Sequence, residues 1–152
     1  MLREQIMASL KDAMKSREEK KVSTLRLINA AIKDRDIAAR GKGDEDGLKD
    51  EEILQLLQSM VKQRLDSIEM YKKGGRQDLV DNETKEIDII KDFLPKQLDE
   101  DEVVSAISST IMEVDAKSIK DMGKVMAELR HKYAGQMDFA KASGLIKEKL
   151  SA

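Results

Sequence analysis

Apolar residues recur at three- and four-residue intervals along almost the whole chain, the spacing that turns one face of an α-helix toward a core. Leu2, Ile6, Leu10 and Ala13/Met14 make the first such stripe. Val22, Leu25, Ile28 and Ile32 make the second, in a helix predicted from about Val22 to Arg40, with Arg26, Asn29, Lys33 and Arg40 projecting elsewhere. The next seven residues, Gly41-Lys42-Gly43-Asp44-Glu45-Asp46-Gly47, read as a flexible polar loop without packing capacity. A third helix is predicted to start after Asp50, an N-cap followed by Glu51 and Glu52 in the first turn. Its core stripe is Ile53, Leu57, Met60, Val61, Leu65 and Ile68, and Gly74-Gly75 ends it. A fourth, from about Gln77 to Phe93, buries Leu79, Val80, Ile87, Ile90 and Leu94 before Pro95 stops the pattern.

The pattern restarts beyond Pro95. Asp99 is a good N-cap with Glu102 three residues on, an acidic relative of the capping box, and Val103, Ile107 and Ile111 follow as a buried face. Ser118 is placed to cap the next helix, with Asp121 at its third position. Asp138 is placed to cap the last, which buries Ala142, Leu145, Ile146 and Leu150. Alternating β-branched and aromatic runs are almost absent. The expected fold is therefore all-α: an N-terminal domain of about four helices over residues 1–96, then a small three-helix bundle over 97–152. Gly123 falls inside a segment read as helix, where glycine costs roughly 1 kcal/mol relative to alanine. Close packing of another helix is the favoured explanation, ahead of close approach of a ligand.

Composition narrows the chemistry. Without cysteine there is no disulfide framework, thiolate metal site or cysteine nucleophile, and the single histidine, His131, makes a histidine metal cluster unexpected. No phosphate loop ending in Gly-Lys-Ser/Thr occurs, and Gly41-Lys42-Gly43 is too short to be one. The carboxylates of Asp99–Glu102 fit helix-start electrostatics, and His131 beside Lys132 fits compensation of a helix dipole. No catalytic residue, cofactor or metal is assigned. The Met1–Ile6 segment has no secretory character, and no apolar run approaches the roughly 18 residues that span a bilayer. A soluble cytoplasmic protein with no membrane association is expected.

Charge is unevenly distributed. Residues 117–152 hold eight basic residues, seven lysines plus Arg130, against four acidic ones, while the middle of the chain is strongly acidic. A basic tail suits an anionic partner. Lys124, Arg130, Lys132 and Lys141 are the predicted RNA contacts. With only Tyr133 and Phe139 as aromatics in this part, backbone or shape recognition of structured RNA is favoured over stacking on single strands.

Three stretches carry a resemblance. Thr24-Leu25-Arg26-Leu27-Ile28 is the first. Gly75-Arg76-Gln77-Asp78-Leu79-Val80 is the second, continuing through Glu83, Glu86 and Ile87 to Phe93-Leu94-Pro95-Lys96-Gln97-Leu98. The third is Met122-Gly123-Lys124-Val125-Met126 with Gly135 and Asp138. In this order and spacing, over nearly the whole chain, they resemble the GatB/YqeY family, specifically its stand-alone YqeY-like members. The resemblance implies a larger N-terminal helical domain and a C-terminal bundle similar to the tail of the B subunit of the tRNA-dependent amidotransferase, a tail that helps bind tRNA. It implies tRNA, or an amidotransferase or aminoacyl-tRNA synthetase, as partners. It also brings a family label, carbon–nitrogen ligase with glutamine as amido-N-donor. The chain lacks the B subunit's kinase-like body and has no glutaminase part, so the expectation is a module without autonomous activity. Where many relatives carry a basic residue after the turn glycine, this chain has Gln136-Met137, one phosphate contact fewer.

Overall fold

Helices account for all the regular structure in the computed structural model, which describes residues 1–43 and 45–151. Asp44, in the loop read from the sequence, and the terminal Ala152 lie outside them. The fold is all-α, with two compact units formed by residues 1–95 and 96–152.

The first unit contains α1 (Leu2–Lys15), α2 (Glu19–Gly41), α3 (Asp50–Lys73) and α4 (Gln77–Lys91). Its core is built from the expected stripes, with Ile6, Leu25, Ile28, Ile53, Leu57 and Ile90 fully buried. Leu65, expected in the α3 stripe, is half exposed, while Leu56, outside the expected stripe, is buried. After Met60 and Val61 the next core-facing position is residue 64, and it holds an arginine; Leu65 lies one step, about 100°, around the helix. The Arg64 side chain is only 13% exposed and its Nε donates to Glu86 of α4 at 2.8 Å, with Glu83 at 4.0 Å. Its Nη1 donates to the Met60 carbonyl at 3.1 Å. Lys20 of α2 closes the cluster, its ammonium 3.0 Å from Glu86 and bonded to the side-chain oxygen of Asn82. Burial pushes the Glu86 carboxyl up, but hydrogen bonds from Lys20 and Arg64 outweigh it and hold the group below its ordinary range.

Helix ends differ from the sequence reading in instructive ways. Asp50 is the first residue of α3 rather than its N-cap, and its carboxylate accepts the Leu2 amide at 3.3 and 3.4 Å. It therefore satisfies an orphan donor of α1, 48 residues away in sequence. The α1–α2 break is made at Arg17, φ +57°, where the Glu18 amide bonds to the Ala13 carbonyl and the Arg17 amide to Met14. This is a Schellman ending on a non-glycine residue. The same geometry ends α3 at Gly75 and α5 (Glu100–Glu113) at Asp115.

The end of the expected loop is anchored at Gly47, where composition predicts no packing. Gly47 is buried with φ +78°, and a Cβ there would lie 2.7 Å from Asp36 Oδ1. Asp36 accepts the Leu48 amide at 2.9 Å and a two-pronged bond from Arg3 at 2.7 and 3.0 Å, while Arg3 also donates to the Leu48 carbonyl at 3.1 Å. The hydrogen bond from Arg3 holds the Asp36 carboxyl below its usual range. α1, α2 and the approach to α3 thus meet at one carboxylate.

The second unit contains α5, a 3₁₀ turn at Ile119–Asp121, α6 (Met122–Lys132) and α7 (Phe139–Ser151). Ile107, Val125, Leu129, Ala142 and Ile146 are fully buried. Asp99 and Glu102 form the expected capping box, Asp99 accepting the Glu102 amide at 2.8 Å and Glu102 the Asp99 amide at 3.3 Å. Asp138 caps α7 through the amides of Ala140 and Lys141. Ser118 makes no side-chain cap; Asp121 instead accepts the Lys117 amide at 2.9 Å.

Gly123 does not serve close packing. It is exposed in the first turn of α6, and an added Cβ would meet nothing within 4 Å. Gly123→Ala should therefore raise the stability of the folded chain by about 0.4–1 kcal/mol, through lost unfolded-state entropy. Urea unfolding followed by circular dichroism reads this directly, and a destabilised variant would show that the site is internally constrained.

Candidate nucleic-acid interface

The four predicted RNA contacts lie in the second unit, but the structure divides them. Lys124 and Arg130 are six positions apart on α6, roughly 120° around its axis, and Arg130 and Lys132 are roughly 160° apart. Lys124 is exposed beside Gly123 at the start of the helix. Its charge, with that of Lys117, lowers the Asp121 carboxyl further after the main lowering by the Lys117 backbone amide.

Arg130 faces the start of α7. Its guanidinium stands over the Phe139 ring, 6.0 Å from the centroid, a cation–π distance that leaves the guanidinium edge available to an acceptor. Lys132 points elsewhere, into a carboxylate pair. Its ammonium is hydrogen-bonded to Glu113 of α5 and lies 3.8 Å from Glu128, one turn back on α6. The bond to Glu113 raises its pKa. A phosphate would have to compete with Glu113 for this lysine.

Lys141 stands on the rim of a groove between α5 and α7, among Glu100, Asp138 and Glu148. Phe139, beneath Arg130, and Lys141 are two positions apart at the start of α7, roughly 160° around its axis, so Arg130 and Lys141 stand on different faces. Sequence reasoning missed the carboxylates: Glu113 lies nineteen positions before Lys132, and no local pattern connects them. It missed the groove for the same reason. Among the described residues, no group of His, Cys, Asp and Glu side chains is arranged to hold a metal ion, and no helix is long and apolar enough to cross a membrane.

The three quoted stretches now have places in the fold. Thr24 is fully buried on α2, its hydroxyl bonded to the Lys20 carbonyl at 2.9 Å. Glu83 and Glu86 surround Arg64, and Gln97 Nε2 donates to the Gly135 carbonyl at 2.6 Å. A profile of the YqeY-like protein family matches residues 3–150. The chain belongs to the YqeY-like family. Among its relatives is altered inheritance of mitochondria protein 41, mitochondrial, of Lachancea thermotolerans, 36% identical over 108 residues, covering 69% of this chain and 55% of that protein. The Saccharomyces cerevisiae protein of the same name is 31% identical over 126 residues, covering 79% of this chain and 65% of its own length. An uncharacterized Schizosaccharomyces pombe protein is 31% identical over 91 residues, 60% of this chain and 70% of that one. The YqeY-like chain thus spans between half and two thirds of the first two relatives.

Proposed function

We propose that this YqeY-like protein is a non-catalytic, cytoplasmic helical module that associates with tRNA or aminoacyl-tRNA through its second unit. One observation carries the reading: Lys124 and Arg130 present cationic groups from α6 that are not consumed by carboxylates among the described residues. The resemblance of this unit to the amidotransferase tail supports it. Lys141 of α7 and Lys132 contribute less, because Lys141 stands among Glu100, Asp138 and Glu148 and Glu113 holds Lys132. Such contacts touch phosphates, so binding is shape-dependent, largely sequence-independent and salt-sensitive.

Filter binding of tRNA over 50–200 mM salt tests this. Two free cations predict a log–log salt slope of about −1.4 to −1.8. Lys124→Glu and Arg130→Glu should each weaken binding about tenfold at low salt, and Lys132→Gln distinctly less. Undetectable affinity at low salt, or indifference to both charge reversals, would sink the reading.

A second reading is a protein–protein adaptor that docks on an amidotransferase or synthetase through the N-terminal helices. It is favoured by the edge of α1 and α2, where Met14 and Leu27 are nearly half exposed around an open concavity of about 670 Å³. Recovery of such an enzyme in a pull-down after nuclease treatment, lost on Leu27→Glu, would favour it over the first.

A further inference from the structure

We propose that the groove between α5 and α7 docks a basic amphipathic helix of a partner protein. This goes beyond the RNA reading and uses a surface that shares only Lys141 with it. The groove has a volume of about 650 Å³, within the range of built ligand sites, and its walls are Leu98, Val103, Val104, Met137 and Leu145. Val104 is 41% exposed, an apolar β-branched side chain standing in the opening. The walls are fixed before any partner arrives. The Leu98 amide bonds to the Gln136 carbonyl at 2.8 Å, Gln97 holds the Gly135 carbonyl, and Lys149 of α7 bonds to Ser108 of α5. These ties advance in the same order along both helices, so α5 and α7 run side by side in one sense, with Ile107, Ala142 and Ile146 filling the space behind. A preformed groove spares binding much of its ordering cost.

Gly144 gives the groove its shape. It lies within α7, where glycine costs roughly 1 kcal/mol against alanine, yet an added Cβ would meet nothing within 4 Å. Nothing in the chain's own packing uses the missing side chain. Its absence leaves a lane along α7 in which another helix can approach closely and set apolar side chains at i, i+3 or i+4 and i+7 against Val103, Val104 and Leu145.

Charge selects the occupant. Glu100, Asp138 and Glu148 stand on the rim against Lys141 alone. Asp138 is partly used in capping α7, but Glu100 and Glu148 enter no ion pair among the described residues. A rim of three carboxylates and one ammonium repels phosphate and suits lysines or arginines flanking an apolar stripe. A partner helix of that kind is the occupant the groove fits.

The test uses the whole chain, ¹⁵N-labelled, and two synthetic helical peptides of about five turns with identical leucine stripes, one flanked by lysines and one by glutamates. The lysine peptide should bind saturably and move the resonances of Val103, Val104, Gly144 and Leu145, with about tenfold higher affinity than the glutamate peptide. Gly144→Leu, which fills open space and should leave the fold intact by circular dichroism, should weaken it at least about tenfold. The pair Glu100→Lys and Glu148→Lys should reverse the preference between peptides. Equal affinity for the two peptides, no saturation up to about 1 mM, or shifts confined to α1 and α2 would overturn the proposal. Groove resonances that move with the protein's own concentration would assign the surface to a second copy, and movement of the wall residues Val103, Val104 and Leu145 on adding tRNA would assign it to nucleic acid; either result overturns it. Lys124→Glu, which should leave peptide binding unchanged, separates failure here from failure of the RNA reading.

Discussion

Arg64→Ala is expected to lower the stability of the first unit by about 2–3 kcal/mol, measured by urea unfolding at neutral pH. Breaking one side of a fully buried ion pair costs about 3–5 kcal/mol, and the partial solvent access here reduces that. Three losses combine. Glu86 keeps Lys20 but loses the 2.8 Å guanidinium bond, Glu83 loses its 4.0 Å guanidinium contact, and the nearly buried aliphatic stem of Arg64 is removed from α3. Arg64→Met together with Glu86→Leu should recover most of the loss, because apolar residues of similar volume replace buried ion pairs at little cost. A single-variant loss below about 0.5 kcal/mol would mean that the cluster behaves as an exposed pair.

The same cluster predicts an acid dependence. The Glu86 carboxyl is depressed in the folded chain, so its contribution is fully present above its unfolded pKa of about 4.3 and is lost as pH falls through its lower folded value. Asp36 is depressed likewise and acts in the same direction. Stability should therefore fall with pH below about 4.5, and the fall should be shallower in Glu86→Gln and Asp36→Asn. An unchanged slope in both variants would exclude these two carboxylates as its source.

Gly47→Ala is the second large effect, an expected loss of about 2–3 kcal/mol. Two costs coincide there: a left-handed backbone, and a Cβ set 2.7 Å from Asp36 Oδ1 and 3.4 Å from Arg3. Gly43 is the control, since it also has a positive φ but its Cβ would meet nothing, so Gly43→Ala should cost only about 1 kcal/mol. The excess at Gly47 measures the overlap. In an Asp36→Ala background the excess should largely vanish, a non-additivity that a double-mutant cycle reads out. Equal losses at Gly43 and Gly47 would show that the Arg3–Asp36–Leu48 lock gives way freely.

These sites mark where the sequence is legible. Helix number, the core faces of α1 and α2, the capping box at Asp99 and the cap at Asp138 were readable because each is written within one or two turns of chain. Family-matching stretches were readable because their order is linear. Leu65 was misplaced because an apolar residue beside the stripe fits the period almost as well as Arg64 on it, and only the carboxylates of α4 make arginine acceptable there. Asp50 looked like the cap of its own helix, yet it serves α1, and composition alone made 41–47 look unanchored because Asp36 and Arg3 lie outside the segment. The candidate interface followed the same rule. Basic residues could be counted, but the partner of Lys132 and the groove beside Lys141 depend on which helices become neighbours.

The bond from the Leu2 amide to Asp50 also sets an order of events during synthesis. α1 emerges before α2 and α3, with its leading amide bonded only to water and its apolar stripe open. The carboxylates it needs, Asp36 for Arg3 and Asp50 for Leu2, follow only as α2 and the start of α3 emerge. At about 5–20 residues per second, that leaves an interval of seconds. Through that interval the 14-residue α1 segment, marginal as an isolated helix, lacks part of its bonding, and its full set of bonds waits for residue 50.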